Sequence, residues 1–134
     1  MHVPFPFPLT ILAILLALLV YFGLSLVVGK ARGTYDVPAP ASSGHPEFDK
    51  RNRVHVNTLE QLALFLPAIF LAAPVLGDAI TAVLGLVFSI GRIIYARSYY
   101  SDPKTRSLGF SLTMLPTLVL IVAAAWGAIR MMIV

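Results

Sequence analysis

The chain contains no cysteine. Disulfides, a protein thiolate nucleophile and thiolate-ligated metals are all excluded, and any thiol chemistry has to use a thiol carried by a substrate. Charge is scarce as well. Asp, Glu, Lys and Arg make up only 12% of the 134 residues, and 6 of them are acidic. A water-facing surface needs about twice that density of charge, so the composition points to a membrane protein. His2, His45 and His55 stand at spacings that suit no metal site. A phosphate-cradling glycine loop and a Ser-His-Asp arrangement are also missing.

What the chain does have is apolar length. Residues 9–28 read LTILAILLALLVYFGLSLVV, and about 20 such residues at about 1.5 Å each cross a hydrocarbon core of about 30 Å. A cleaved signal peptide fits this run poorly, because it is too long and no Lys or Arg precedes it. The FPFP stretch at 5–8 suits a helix start at the membrane interface. Further spans are expected at 54–74, 79–100 (after the break PVLGD) and 107–130, the last with a kink at Pro116. The expected fold is all-α: a single four-span domain over 1–134, an integral membrane four-helix bundle. The polar stretch 29–53, GKARGTYDVPAPASSGHPEFDKRNR, reads as a loop.

The net charge of +4 has a pattern. Lys30, Arg32, Lys50, Arg51 and Arg53 lie in or beside the first connection, and Arg97, Lys104 and Arg106 at or near the third. The second carries only Asp78. Positive residues stay cytoplasmic, so connections one and three are expected in the cytoplasm and both termini on the opposite side. The basic balance then needs no nucleic-acid partner.

Some ionisable residues lie where the spans begin or end. Arg53, Asn57 and Glu60, at i, i+4 and i+7, share one helix face; Arg92, Tyr95 and Tyr99, at i, i+3 and i+7, share another. Such groups normally face protein or a watery cavity. One reading is an inter-helix ion pair, for instance Glu60 with Arg92, that only locks the bundle. The other is a binding site. Arginines outnumber the single carboxylate, leaving forks free for an anionic ligand, and Glu60 suits a ligand ammonium.

Three segments together resemble a known family. RVHVNTLE at 53–60, GRIIYARSYYSDPKTRSLG at 91–109 and PEFD at 46–49 are similar to the MAPEG family, membrane-associated proteins in eicosanoid and glutathione metabolism. The second segment resembles the microsomal glutathione S-transferases in particular. The resemblance implies a homotrimer in the lipid bilayer, with glutathione as co-substrate bound between subunits near the cytoplasmic face. It further implies that Arg53, Asn57, Glu60, Tyr95 and Tyr99 hold glutathione, that Arg32 binds a carboxylate, that Lys30 and His55 are contacts, and that Arg106 is the catalytic residue that stabilises the thiolate. Gly33 and Gln61 replace an arginine and a tyrosine of the leukotriene-forming member, which argues against leukotriene synthesis. The expected activity is a glutathione transferase or peroxidase acting on a hydrophobic electrophile or lipid hydroperoxide. The alternative is a non-catalytic lipid- or ligand-binding scaffold of the same fold. No extended tail follows Val134, so a bacterial inner membrane is expected rather than the endoplasmic reticulum.

Overall fold

A computed structural model describes residues 4–134; His2 lies outside them. Among the described residues the chain is all-α. Helix α1 spans Pro8–Thr34, α2 Pro46–Leu76, α3 Asp78–Ser101 and α4 Ser107–Ile133, with a short 3-10 turn at Pro103–Thr105 before α4. Each of the four is long and apolar enough to cross a membrane. Helices α2 and α3 pack on one another, and both α1 and α4 pack against that pair.

The buried positions explain the packing. On α1 they are Thr10, Ala13, Ala17, Leu24, Val28 and Ala31, a single stripe at helical spacing. The centre is a stack of Phe65 on Phe88, ring centroids 3.8 Å apart, surrounded by Leu62, Ile69, Ala72 and Leu120. Leucines and valines on the other faces stay exposed, as lipid contact allows. Helix α4 is continuous across the buried Pro116.

Two helices outrun the expected spans. Helix α1 continues to Thr34, so Lys30 and Arg32 are helical; its 27 residues reach about 40 Å at about 1.5 Å per residue. Helix α2 starts at Pro46 rather than near 54. The expected loop 29–53 therefore shrinks to 35–45. The cause is local chemistry that hydropathy ignores. His45 Nδ1 accepts a hydrogen bond from the Glu47 N–H at 3.1 Å, Pro46 occupies the first helical position, and Glu47 and Asp49 complement the helix dipole. Glu47 then pairs with Lys50 and Arg51, at 3.0 Å each.

The connection between α2 and α3 is the single residue Gly77, with φ +85°, a conformation that glycine adopts without strain. It delivers Asp78 to the start of α1. There the Asp78 carboxylate accepts from Leu9 N at 3.0 Å, Thr10 N at 2.8 Å and Thr10 Oγ1 at 2.9 Å. Helix α1 has no side-chain cap and no acidic residue in its first turn, so Asp78 supplies both from another helix. Asp78→Ala should lower the thermal midpoint in detergent by a few degrees and loosen the start of α1. Asp78→Asn, which keeps an acceptor, should recover part of the loss. An unchanged midpoint for Asp78→Ala would show that water satisfies those amides equally well.

Candidate functional site

At the end of the bundle that carries the basic residues, α2, α3 and α4 enclose a groove of about 830 Å³. Helix α2 contributes Arg53 and Asn57, and α3 contributes Tyr95 and Tyr99. The 3-10 turn and α4 contribute Lys104, Arg106, Ser107, Phe110 and Ser111. The walls are close because α4 opens with Gly109 in its first turn, where any Cβ would collide with the backbone of Tyr95. That contact seats Tyr95 beside the start of α4.

The polar groups are connected. Arg53 Nη1 lies 3.4 Å from Glu60 Oε1, and Asn57 Nδ2 donates to Glu60 Oε2 at 3.3 Å. Three cations, Arg53, Lys104 and Arg106, line the groove, and the Glu60 carboxylate meets it through Arg53 and Asn57. Both members of the Arg53–Glu60 pair are 51% exposed, so the pair contributes only about 0–1 kcal/mol to stability and is free to engage a ligand. Arg106 Nη1 donates to Pro103 O at 2.7 Å, which pins the side chain at the groove wall and leaves its other donors available. The first turn of α4 has neither a side-chain cap nor an acid, so its positive dipole end is unopposed beside Ser107.

The suggested Glu60–Arg92 pair does not form. Asn57 stands between them. Arg92 is buried on the far side, its Nη1 donating to Asn57 Oδ1 at 2.8 Å and to Thr58 Oγ1 at 3.4 Å, with its guanidinium 4.2 Å from the Tyr95 ring centroid. Glu60 has turned to the exposed side with Arg53.

Of the residues singled out in the sequence, Arg53, Asn57, Tyr95, Tyr99 and Arg106 line the groove, and Glu60 is bonded to two of them. Three others lie elsewhere in the chain. Arg32 donates to Val37 O at 3.3 Å and Ala41 O at 2.7 Å and covers the Phe48 ring at 4.8 Å, bracing the first connection. Lys30 is exposed one turn before the end of α1. His55 is stacked on Tyr21 at 4.7 Å, because two residues beyond Arg53 is about 200° round a helix and faces α1. Lys104, Ser107, Phe110 and Ser111 were not anticipated. The i, i+4 spacing of the two serines just after Arg106 was the available signal.

A larger hollow, about 1590 Å³, lies at the opposite end between the C-terminal halves of α2 and α4. Its lining is apolar apart from Arg130. It holds no set of groups able to bind and activate a polar ligand, so size does not identify the site here.

Comparison with known proteins agrees with the architecture. The sequence model of the MAPEG family matches residues 10–126. An uncharacterized protein of Synechocystis sp. is 44% identical over 109 residues, covering 81% of this chain and 80% of that protein. Microsomal glutathione S-transferase 2 of Homo sapiens is 36% identical over 94 residues, covering 70% of this chain and 63% of the relative. Leukotriene C4 synthase of Rattus norvegicus is 33% identical over 97 residues, covering 72% and 62%. In these last two the matched part is under two thirds of the relative's own length. With a match that runs through all four apolar helices, the chain belongs to the MAPEG family of membrane proteins.

Proposed function

We propose that this chain binds glutathione in the basic groove and activates its thiol for attack on an apolar electrophile or a lipid hydroperoxide. The observation that carries the reading is the convergence of Arg53, Asn57, Tyr95, Tyr99 and Arg106 on one groove with an excess of positive charge. Two characterised relatives are by name a glutathione transferase and leukotriene C4 synthase.

The chemistry of the ligand matches the walls. Glutathione has two carboxylates, one ammonium and one thiol. Arg53 and Lys104 suit carboxylates, and Glu60 suits the ammonium. Arg106, together with the unopposed start of α4, favours the thiolate over the thiol. Tyr99 is the next available donor to sulfur. The helices hold the thiolate close to a reactant arriving through the bilayer, which is catalysis by proximity.

Lys30, Arg32 and His55 sit away from the groove of their own chain. A homotrimer gives them a role: a neighbouring subunit's α1 and first connection would close the exposed side of the groove and bring Arg32 to a second carboxylate. The half-exposed Glu60 supports the same arrangement, because polar groups at membrane depth need cover.

The basic end is assigned to the cytoplasm from the Lys and Arg asymmetry, and the Synechocystis relative supports a bacterial inner membrane. The native chain has no cysteine, so single cysteines report orientation cleanly. Ser42 and Ala79 are exposed on the two sides, and neither is needed by the Asp78 clamp. A membrane-impermeant thiol reagent added outside should label Ala79→Cys and spare Ser42→Cys; the reverse pattern would invert the orientation. The function itself is tested by assaying the purified protein with glutathione and a reactive aryl halide. Turnover that requires both substrates is expected. Glutathione binding without turnover would leave a ligand-binding scaffold instead.

A further inference from the structure

Arg92 lies on α3 one turn before Tyr95, outside the groove. It is 0% exposed and is the only charged side chain among the described residues that are buried. No carboxylate in those residues pairs with it. A guanidinium without a counter-charge at membrane depth is costly to bury, and packing α3 on α2 could be achieved with uncharged side chains. Arg92 Nε and Nη2 have no hydrogen-bond partner among the described residues, so the polar contacts of the buried group are those of Nη1.

Both of its hydrogen bonds go to α2. Thr58 Oγ1 donates its own proton to Val54 O at 2.7 Å and so receives Arg92 Nη1 as an acceptor. Asn57 is the more consequential partner. A guanidinium carries donors and no acceptor, so only the Oδ1 side of the Asn57 amide can face it, as it does at 2.8 Å. The Nδ2 side is then forced outward, where it donates to Glu60 Oε2. Without Arg92, only the longer 3.3 Å contact to the half-exposed Glu60 carboxylate would orient the amide. The same guanidinium covers the ring of Tyr95, a second wall residue.

We infer that Arg92 is a positioning residue of the groove: from behind the wall it locks Asn57 with its NH2 group facing the ligand, so that the site presents a hydrogen-bond donor to a carboxylate or carbonyl oxygen of glutathione. The inference rests on the glutathione reading and extends it to a side chain that touches no ligand.

A double-mutant cycle on the full-length protein in detergent, read as glutathione affinity, tests it. Arg92→Gln should weaken binding about tenfold in the wild-type background and less than about twofold in Asn57→Ala, because the effect passes through Asn57. A purely structural Arg92 would weaken both backgrounds by the same factor, and that result overturns the inference. Should Arg92→Gln fail to fold, Arg92→Lys carries the test. Lysine keeps a donor for Asn57 Oδ1 and offers no acceptor to the NH2 group. Affinity for glutathione should stay within about twofold of the wild type; a loss of about tenfold in folded Arg92→Lys, equal in the Asn57→Ala background, overturns the inference. A folded wild type that binds no glutathione is a different result, since it removes the site reading beneath the inference.

Discussion

Arg106→Ala should still bind glutathione but should lose the ultraviolet absorbance of the bound thiolate at pH 7. A free thiol has a pKa near about 8.5, so only a few per cent is ionised at neutral pH. If Arg106 and the start of α4 lower the bound thiol by about two units, the thiolate becomes the major form, and losing that stabilisation costs about 2.7 kcal/mol. The thiolate fraction at pH 7 should fall roughly 25-fold. The rate should fall less, because a less stabilised thiolate is a stronger nucleophile. The sharper kinetic sign is the pH profile. The depressed pKa places the rising limb of conjugation in the wild type below neutrality, and in Arg106→Ala it should move up by about two units toward the free thiol. An arginine that only anchors α4 at the headgroups would leave both absorbance and profile unchanged, and Tyr99 would then take over as the candidate donor to sulfur.

Arg53→Ala should weaken glutathione by about 2 kcal/mol, roughly 30-fold, with little change in thermal midpoint. The two parts of that expectation have separate origins. The Arg53–Glu60 pair spans 3.4 Å with both partners 51% exposed, so breaking it costs the fold about 0–1 kcal/mol. A ligand carboxylate held by the same guanidinium loses a charge-assisted bond inside a partly enclosed groove. Glu60→Gln should act in the same direction by removing the partner of the ligand ammonium and part of the hold on Asn57 Nδ2. A structural pair would show the opposite pattern, with a lower midpoint and no ligand effect. Affinity and midpoint measured on each variant separate the two.

The apolar runs made the four helices visible in the sequence, because a bilayer core demands about 20 apolar residues per crossing. Hydropathy could not see the helical turns beyond the core, at 29–34 and 46–53. There the signals were capping signals, His45, Pro46 and Glu47, within a stretch that its Pro, Ser and Gly content made look like a loop. The shared face of Arg53, Asn57 and Glu60 was legible because all three lie on one helix at fixed spacing. The second face misled in part. Arg92, Tyr95 and Tyr99 share a stripe, yet α2 buries the first and leaves the third half-buried at the groove. Spacing fixes a direction around one helix axis and says nothing of what covers it. The Asp78 clamp on α1 was invisible for the same reason, since it joins residues 68 and 69 positions apart. Serines 107 and 111 acquire meaning only once Gly109 has brought α4 against Tyr95.

A basic groove that binds glutathione and holds it as a thiolate has a direct optical signature. The most direct test is a glutathione titration of the purified, folded protein at pH 7, followed by the ultraviolet difference absorbance of the thiolate. A saturable rise in absorbance is expected, with a dissociation constant in the millimolar range or below. A folded protein that shows no saturable binding at millimolar glutathione, or that binds it with no thiolate signal, would contradict it.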